Sequence, residues 1–294
     1  MIVGASDDPH VRAVVAAARY PVEVLDASTW GKRPLTLTTS GLEVDARPLL
    51  AGNGWIRRIA PTTRGDRLGD GTMLGAQRAA GLSALAAVLH DDRIGWLTPI
   101  QAFGTAENKP VQYRRAEAVS VPVPTWLVTT DPRSVPVGGE WVAKPLGPGF
   151  FYEDSAARIV PTTALSTAEV EAVRGAPFLI QQRIEAEAHA RIVTVRSRTF
   201  GAVLDASNQP LDWRLSKEAH TSFAPFEVPD QVCLWAAAAA RANGVGYSAQ
   251  DWILDKEGRW WFIDLNPAGQ WLFLPGPVAD AVTAAVAHHL EGEP

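Results

Sequence analysis

Asp251-Trp-Ile-Leu-Asp-Lys-Glu-Gly-Arg-Trp-Trp-Phe-Ile-Asp-Leu-Asn-Pro-Ala-Gly-Gln-Trp271 is the stretch on which the fold turns. Two apolar, β-prone runs, Asp251–Asp255 and Arg259–Asn266, are joined by Lys256-Glu257-Gly258, which reads as a hairpin. A two-residue turn at Glu257-Gly258 sets Asp251 directly opposite Asp264. Side chains alternate along a strand, so Asn266 shares the face of Asp264. Carboxylates placed opposite one another repel unless positive charge lies between them. Two carboxylates and an amide oxygen suit a hard cation such as Mg²⁺ that also binds phosphate oxygens. A solvated outer face, with the tryptophans turned inward, satisfies the same pattern, so the hairpin alone leaves both readings open.

Working outward, Lys144 ends the apolar run Trp141-Val-Ala and precedes Pro-Leu-Gly-Pro-Gly-Phe150. A cation at a strand end beside a glycine-bearing loop is placed to hold phosphates. Lys109 stands near the start of a helix, where a surface lysine is the default. Phe178-Leu-Ile-Gln-Gln-Arg-Ile184 ends an apolar strand in polar residues, whose backbone can meet the edge of a purine between apolar walls. The six histidines form no metal set: His90 and the pair His288-His289 read as exposed helix-end residues.

The bulk composition sets the frame. With 294 residues the chain is long enough for two or three subdomains. A net charge of −5 argues against a nucleic-acid partner bound through a broad basic surface. The longest apolar block, Cys233–Ala240, is too short to span a bilayer. The N-terminus lacks the basic and apolar regions of a signal peptide, and Cys233 is the single cysteine. These features fit a cytoplasmic protein with no membrane segment. The eleven tryptophans are scattered and read mostly as core and crevice walls.

Strand Met1–Gly4, helix Asp8–Arg19 and strand Val22–Leu25 predict a parallel βαβ start. A helix over Thr72–His90 turns Leu82, Leu85 and Leu89 to one face. One helix is expected over Thr105–Val119, stopped by Val121-Pro-Val-Pro124. Strands follow at Trp126–Thr129 and Trp141–Lys144. Ser166-Thr-Ala-Glu169 is a capping box opening a helix to Val173. Further strands are expected at Phe178–Ile184, Arg191–Val195 and Phe200–Leu204, then a helix from Pro229-Asp230 to Asn243-Gly244.

Taken in order, these pieces resemble the ATP-grasp superfamily of carboxylate–amine ligases. The stretches Ala106-Glu-Asn-Lys-Pro-Val-Gln112, Val123-Pro-Thr-Trp-Leu-Val-Thr-Thr-Asp-Pro132, Asp212-Trp-Arg214 and Asn266-Pro-Ala-Gly-Gln-Trp271 are similar to the graspetide (microviridin-type) macrocyclases that mature ribosomal peptides. The resemblance implies an α/β fold of α+β character, an ATP-grasp fold preceded by an open-sheet pre-ATP-grasp lobe. It divides the chain at 1–104, 105–175 and 176–294. ATP and Mg²⁺ are the implied cofactors. Lys109 and Lys144 would contact phosphates, and Gln181, Gln182, Arg183 and Ile184 would frame the adenine. Asp251, Asp264 and Asn266 would hold Mg²⁺, and Arg191 would reach the acyl phosphate. Asp212 and Arg214 would position a substrate carboxylate. His189 stands where related ligases often carry Asp, so Glu185 or Glu187 would take the ribose. Asp264 replaces the usual Glu, and the loop Gly147–Tyr152 is short for covering phosphates.

The reaction implied is phosphorylation of a carboxylate by ATP, then attack by an amine or hydroxyl. The expected partner is a ribosomal precursor peptide with a leader and an acidic core. A ligase for free amino acids or a small metabolite shares the same nucleotide site, and a non-catalytic nucleotide-binding subunit is the third reading. A homodimer is compatible with each.

Overall fold

Ile2 and Val3 form β1 (Ile2–Val3), followed by α1 (Pro9–Ala17) and β2 (Val24–Leu25), the expected βαβ unit. The helix begins where it does because Asp8 caps it, accepting from the His10 amide at 2.8 Å, with Pro9 at its first position. The computed structural model describes residues 1–292 except 27, 28, 30–32, 50, 51, 59–71, 137, 148, 149, 154, 155 and 167–169. Side chains at 150–153, 156–159 and 171–173 are likewise outside the described set. An antiparallel three-stranded sheet, β3 (Leu35–Thr38), β4 (Gly41–Val44) and β5 (Arg47–Leu49), precedes β6 (Asn53–Ile56). Then come α2 (Met73–Leu89), capped by Thr72, and β7 (Gly95–Trp96). The first lobe is thus an open parallel sheet of order β2-β1-β6-β7.

Helix α2 departs from its expected face. Leu85, Val88 and Leu89 are buried against Val3, Leu25 and Ile56, but Leu82 is 48% exposed. Only the last turns of α2 lie on the sheet. The single helix expected over Thr105–Val119 is two helices, α3 (Ile100–Ala106) and α4 (Lys109–Ala118). Pro110 cannot sit in a helix interior, and Asn108 instead caps α4, accepting from the Val111 amide at 3.2 Å.

The middle of the chain contributes β8 (Trp126–Thr129), β9 (Trp141–Pro145), the hairpin β10 (Phe150–Glu153) and β11 (Ala156–Ile159), then β12 (Thr163–Ala164) and β13 (Phe178–Gln182). Its antiparallel sheet runs β12-β9-β13-β8. A division at 176 would cut β13 away from β8 and β9, to which it is hydrogen-bonded, so this strand completes the central sheet. Residues 167–169 of the expected capping box lie outside the described residues, and a 3₁₀ turn occupies Val170–Gly175.

The last third builds a five-stranded antiparallel sheet from β14 (Ala186–Val195), β15 (Arg198–Asp205), β16 (Ala224–Phe226), β17 (Tyr247–Asp255) and β18 (Trp260–Asn266), in the order β16-β15-β14-β17-β18. Helix α5 (Asp230–Ala242) ends at Asn243, and Gly244 takes φ +72°, as its place past the helix end requires. Helix α6 (Gly276–Leu290) follows β18. One sheet face packs Ala190, Ile192, Trp252 and Leu265 on α5 and α4. The other packs Val193, Val195, Tyr247 and Ala249 on α6, together with Val11, Val14, Trp55 and Trp271. The first lobe and the last sheet therefore share one core. His289, read from sequence as an exposed helix end, is 5% exposed and sits 3.2 Å from the Gly54 carbonyl, because α6 docks its last turn on the first lobe.

Because Leu85 fills the core and Leu82 does not, Leu85→Ala should cost about 2–5 kcal/mol and Leu82→Ala less than about 0.5. Equal losses in urea unfolding would show that α2 packs on another face.

Candidate active site

The hairpin that opens the site reaches its expected register by a different route. Asp251 does face Asp264, and Ala249 faces Asn266. The connection is not a two-residue turn, however. The Asp255 amide donates to the Arg259 carbonyl at 2.9 Å across three residues, with Gly258 at φ +79°. That loop alone would shift the pairing by one, and Trp252 indeed pairs with Phe262. A bulge at Ile263 restores the register, so the two carboxylates meet because of two compensating irregularities.

Helix α4 fixes this edge. Gln112 Nε2 donates to the Leu265 carbonyl at 2.7 Å, and the Leu265 amide donates to Gln112 Oε1 at 3.1 Å. Tyr113 Oη donates to the bulge carbonyl of Ile263 at 2.7 Å. The backbone groups of an outer strand are thereby satisfied. The same docking brings Lys109, on the first turn of α4, to 2.6 Å from Asp264 Oδ1. A lysine at a helix N-terminus opposes the helix dipole, and the ion pair offsets that cost. Burial raises the pKa of Asp264, but Lys109 outweighs it, and the net effect holds the carboxyl below its ordinary value.

Asp251 is met from the neighbouring strand. Arg191 Nε lies 3.2 Å from Asp251 Oδ1, and its guanidinium sits 5.6 Å from the centre of the Phe273 ring. Lys144, 7% exposed, donates from Nζ to Gln181 Oε1 at 2.7 Å. Desolvation, with the charge of Lys109 added, pushes the Lys144 amine down to about 7. Tyr113 Oη also lies 2.6 Å from Gln181 Oε1, so its single proton is shared between Gln181 and the bulge.

Asp212 and Arg214 divide their tasks. Asp212, 5% exposed, accepts from Arg214 Nε at 2.8 Å, from Arg214 Nη2 at 2.6 Å and from the Thr162 amide at 3.0 Å. Burial opposes its ionisation, but the hydrogen bonds from Arg214 and Thr162 outweigh it and lower its pKa. Asp212 faces Arg214 and backbone; the Arg214 side chain is half exposed on the cleft.

These groups line a cavity of about 270 Å³ between the central sheet and the last one. Lys109, Lys144, Gln181, Arg183, Ile184, Asp212, Arg214, Asp251 and Asp264 are on its wall. Four other expected residues are not. Arg191 stands opposite Asp251 on the neighbouring strand and contacts that carboxylate. Gln182 uses its amide on the Thr125 carbonyl, and its side chain is exposed. Glu187 is exposed beside an irregularity of β14. Asn266 shares the face of Asp264, and its Oδ1 accepts from the Ala268 amide at 2.8 Å. His189 does face the cleft. Residues 148 and 149 of the expected phosphate loop lie outside the described residues. The sequence reading missed Val142, Phe223 and Ile253 as cavity walls, and Tyr113 and Phe273 as supports. Only strand alternation signalled Val142 and Ile253, and nothing local marked the others. Among the described residues no third His, Cys, Asp or Glu joins the two acids. That donor set fits Mg²⁺, which keeps waters and takes phosphate oxygens alongside one or two carboxylates.

No family model matches the chain, and no curated relative does. Solved structures match over its whole length. A RiPP-associated ATP-grasp ligase of Chryseobacterium gregarium, in complex with ADP and a leader and core peptide, gives a TM-score of 0.84 at 20% identity, covering 100% of this chain and 96% of that one. Macrocyclase MdnC of Microcystis aeruginosa MRC, bound with precursor peptide MdnA, gives 0.79 at 18% identity and 99% coverage of both chains. ATP-grasp ligase PsnB, complexed with a variant minimal precursor, Mg and ADP, gives 0.77 at 19% identity, covering 99% of this chain and 97% of that one. Shared topology over the full length of these ligases, first lobe included, shows that the chain has the ATP-grasp fold.

Proposed function

We propose that this chain is an ATP-dependent ligase that closes side-chain ester or amide links in a ribosomally made precursor peptide. The observation that carries the reading is the convergence of Lys109, Lys144, Arg191 and Arg214, from four separate elements, around the facing pair Asp251 and Asp264. Such a set neutralises a polyphosphate and the charge that develops as it reacts. Peptide rather than a free metabolite is favoured because the solved relatives bound to leader, core or precursor peptides match this chain from end to end.

A substrate carboxylate oxygen attacks the γ-phosphorus, the bond to the β-phosphate oxygen breaks, and ADP leaves. A hydroxyl or amine of the same peptide then attacks the acyl carbon, loses its proton, and phosphate departs. Lys144 would hold phosphate oxygens from a pocket too dry to keep its charge unaided. Lys109, already fixed to Asp264, would lie beside them. Arg214, oriented by Asp212, would hold the carboxylate to be activated, and Arg191 would stabilise the oxyanion. The strand end at Gln181–Ile184 would border the adenine, with Glu187 beyond the cavity wall near the ribose. Asp251 and Asp264, with the free lone pair of Asn266 Oδ1, would hold Mg²⁺, which when bound shields phosphate charge. The walls Val142, Trp213 and Ile253 would help exclude water that would hydrolyse the acyl phosphate. A cytoplasmic site of action and a homodimer belong to the same reading. Among the described residues no helix is long and apolar enough to cross a membrane.

Co-expression with a short acidic, hydroxyl-rich peptide encoded beside this gene should give a product lighter by one water per link in mass spectrometry. Asp264→Asn should lower ADP release about 100-fold or more. Undiminished release in that variant would remove the site from the reaction. A second outcome concerns Lys144. With its amine near pH 7 in the free protein, it is mostly neutral at pH 8, and a phosphate beside it favours the charged form. Mg-ADP binding at pH 8 should therefore take up about half a proton or more, falling toward zero at pH 6, where the amine is already charged. Calorimetry in buffers of different ionisation enthalpy reads this directly, and Lys144→Met should abolish it.

A further inference from the structure

Three ionisable groups of the first lobe are buried and have no part in the chemistry above. Asp8 and His10, at the start of α1, are 8% and 5% exposed, and Arg57, just after β6, is 1% exposed. A buried ion pair seldom stabilises more than apolar packing of the same volume, so its contacts matter more than its charge. Those contacts converge on one segment, Pro267–Leu272, which leaves β18 immediately after Asn266. Arg57 donates through Nη1 to the Ala268 carbonyl. His10 Nε2 accepts from the amides of Trp271 at 3.2 Å and Leu272 at 3.4 Å. Its ring stands edge-on to Trp271, with centroids 4.5 Å apart.

These partners set the proton inventory of His10. A nitrogen that accepts two backbone N–H groups carries no hydrogen, so the proton of the neutral ring is on Nδ1. Nδ1 then donates to Asp8 Oδ1 at 3.2 Å, and Arg57 Nη2, 3.3 Å from the same nitrogen, is a charge neighbour of it. Arg57 Nε also lies 3.3 Å from Asp8 Oδ2, as an ion pair without hydrogen-bond alignment. Asp8 therefore fixes both the ring that holds two loop amides and the guanidinium that holds a loop carbonyl.

The ends of this segment lie at the candidate active site. At one end, the Ala268 amide fixes Asn266 Oδ1 at 2.8 Å. At the other, Phe273 lies under the Arg191 guanidinium that meets Asp251. We infer that Asp8, His10 and Arg57 are positioning residues: they clamp the 267–272 segment from the first lobe and so set Asn266 and, through Phe273, Arg191. The first lobe thereby acts on the candidate site through this loop. This rests on the ligase reading, and the experiment separates the two.

Asp8→Asn keeps a good helix cap and so keeps α1, while it loses the charge that orients His10 and Arg57. His10→Ala removes the acceptor of the two amides, and His10→Gln returns one. Hydrogen exchange, which requires no turnover, should quicken about tenfold or more at Trp271 and Leu272 in Asp8→Asn and His10→Ala. In the same variants the kcat for ADP release should fall about tenfold with the KM for ATP within about threefold, and His10→Gln should recover part of both losses. Faster exchange with unchanged kcat would reduce the cluster to a structural role and overturn the proposal, as would unchanged exchange. Absence of Mg-ADP binding by the wild-type chain in calorimetry would instead overturn the ligase reading. Exchange at Trp271 and Leu272 would still report whether the clamp exists.

Discussion

Two carboxylates held face to face by a β-ladder are the constraint on which the site depends. Asp251 and Asp264 cannot separate, because their backbones are locked into neighbouring strands. The repulsion is relieved only by bringing cations to them, and the fold does so from different directions: Lys109 from the start of a helix and Arg191 from the adjacent strand. Lys144 and Arg214 approach the same cavity from the central sheet and from the turn after Asp212. The cavity wall carries four cationic side chains, Lys109, Lys144, Arg183 and Arg214, against the three carboxylates Asp212, Asp251 and Asp264. Its least comfortable member is Lys144, whose amine is desolvated to about 7 and has only a neutral amide oxygen as its hydrogen-bond partner among the described residues. A polyanion is the ligand that such a surplus accommodates.

The same helix that delivers Lys109 also seals the strand that carries Asp264. Lys109, Gln112 and Tyr113 lie three and four residues apart, hence on one face of α4. Gln112 satisfies Leu265, Tyr113 satisfies the bulge at Ile263, and the ion pair forms between them and solvent. Bulge, edge and charge are thus one interlocked unit, which ties local backbone irregularity to the electrostatics of the cavity. Behind it, the shared core of Trp55, Trp271, Val14 and Val282 joins the first lobe to the last sheet, so the loop after β18 is held from both sides.

Much of this was legible from local pattern. The alternation around Asp251 and Asp264 gave their shared face, although a three-residue loop and a bulge, rather than a tight turn, produce it. Asp8, Thr72 and Gly244 marked helix ends because capping is chemistry between near neighbours. Leu82 and His289 were misread for the converse reason. Exposure of Leu82 depends on where α2 leaves the sheet, and burial of His289 on a carbonyl 235 residues away. The start of helix α6 went unread behind Pro275-Gly-Pro277, whose prolines open the helix instead of preventing it.

The sequence by itself determined the βαβ start, most strands of the central and last sheets, helix α5, the acidic hairpin, and the lysine that ends a strand before a glycine-bearing loop. These rest on periodicity and on interactions within a few residues, which a linear string records. Only the tertiary structure decided that Asp212 serves Arg214, that Tyr113 and Gln112 hold β18, that Phe273 supports Arg191, and that Asp8, His10 and Arg57 grip the loop beyond Asn266. Each of the last three is a contact between distant parts of the chain, formed by burial and by the need to satisfy backbone groups at sheet edges and loops. The first, though local in sequence, depends on burying Asp212 against the Thr162 amide, fifty residues away. No local pattern encodes a partner that only packing supplies.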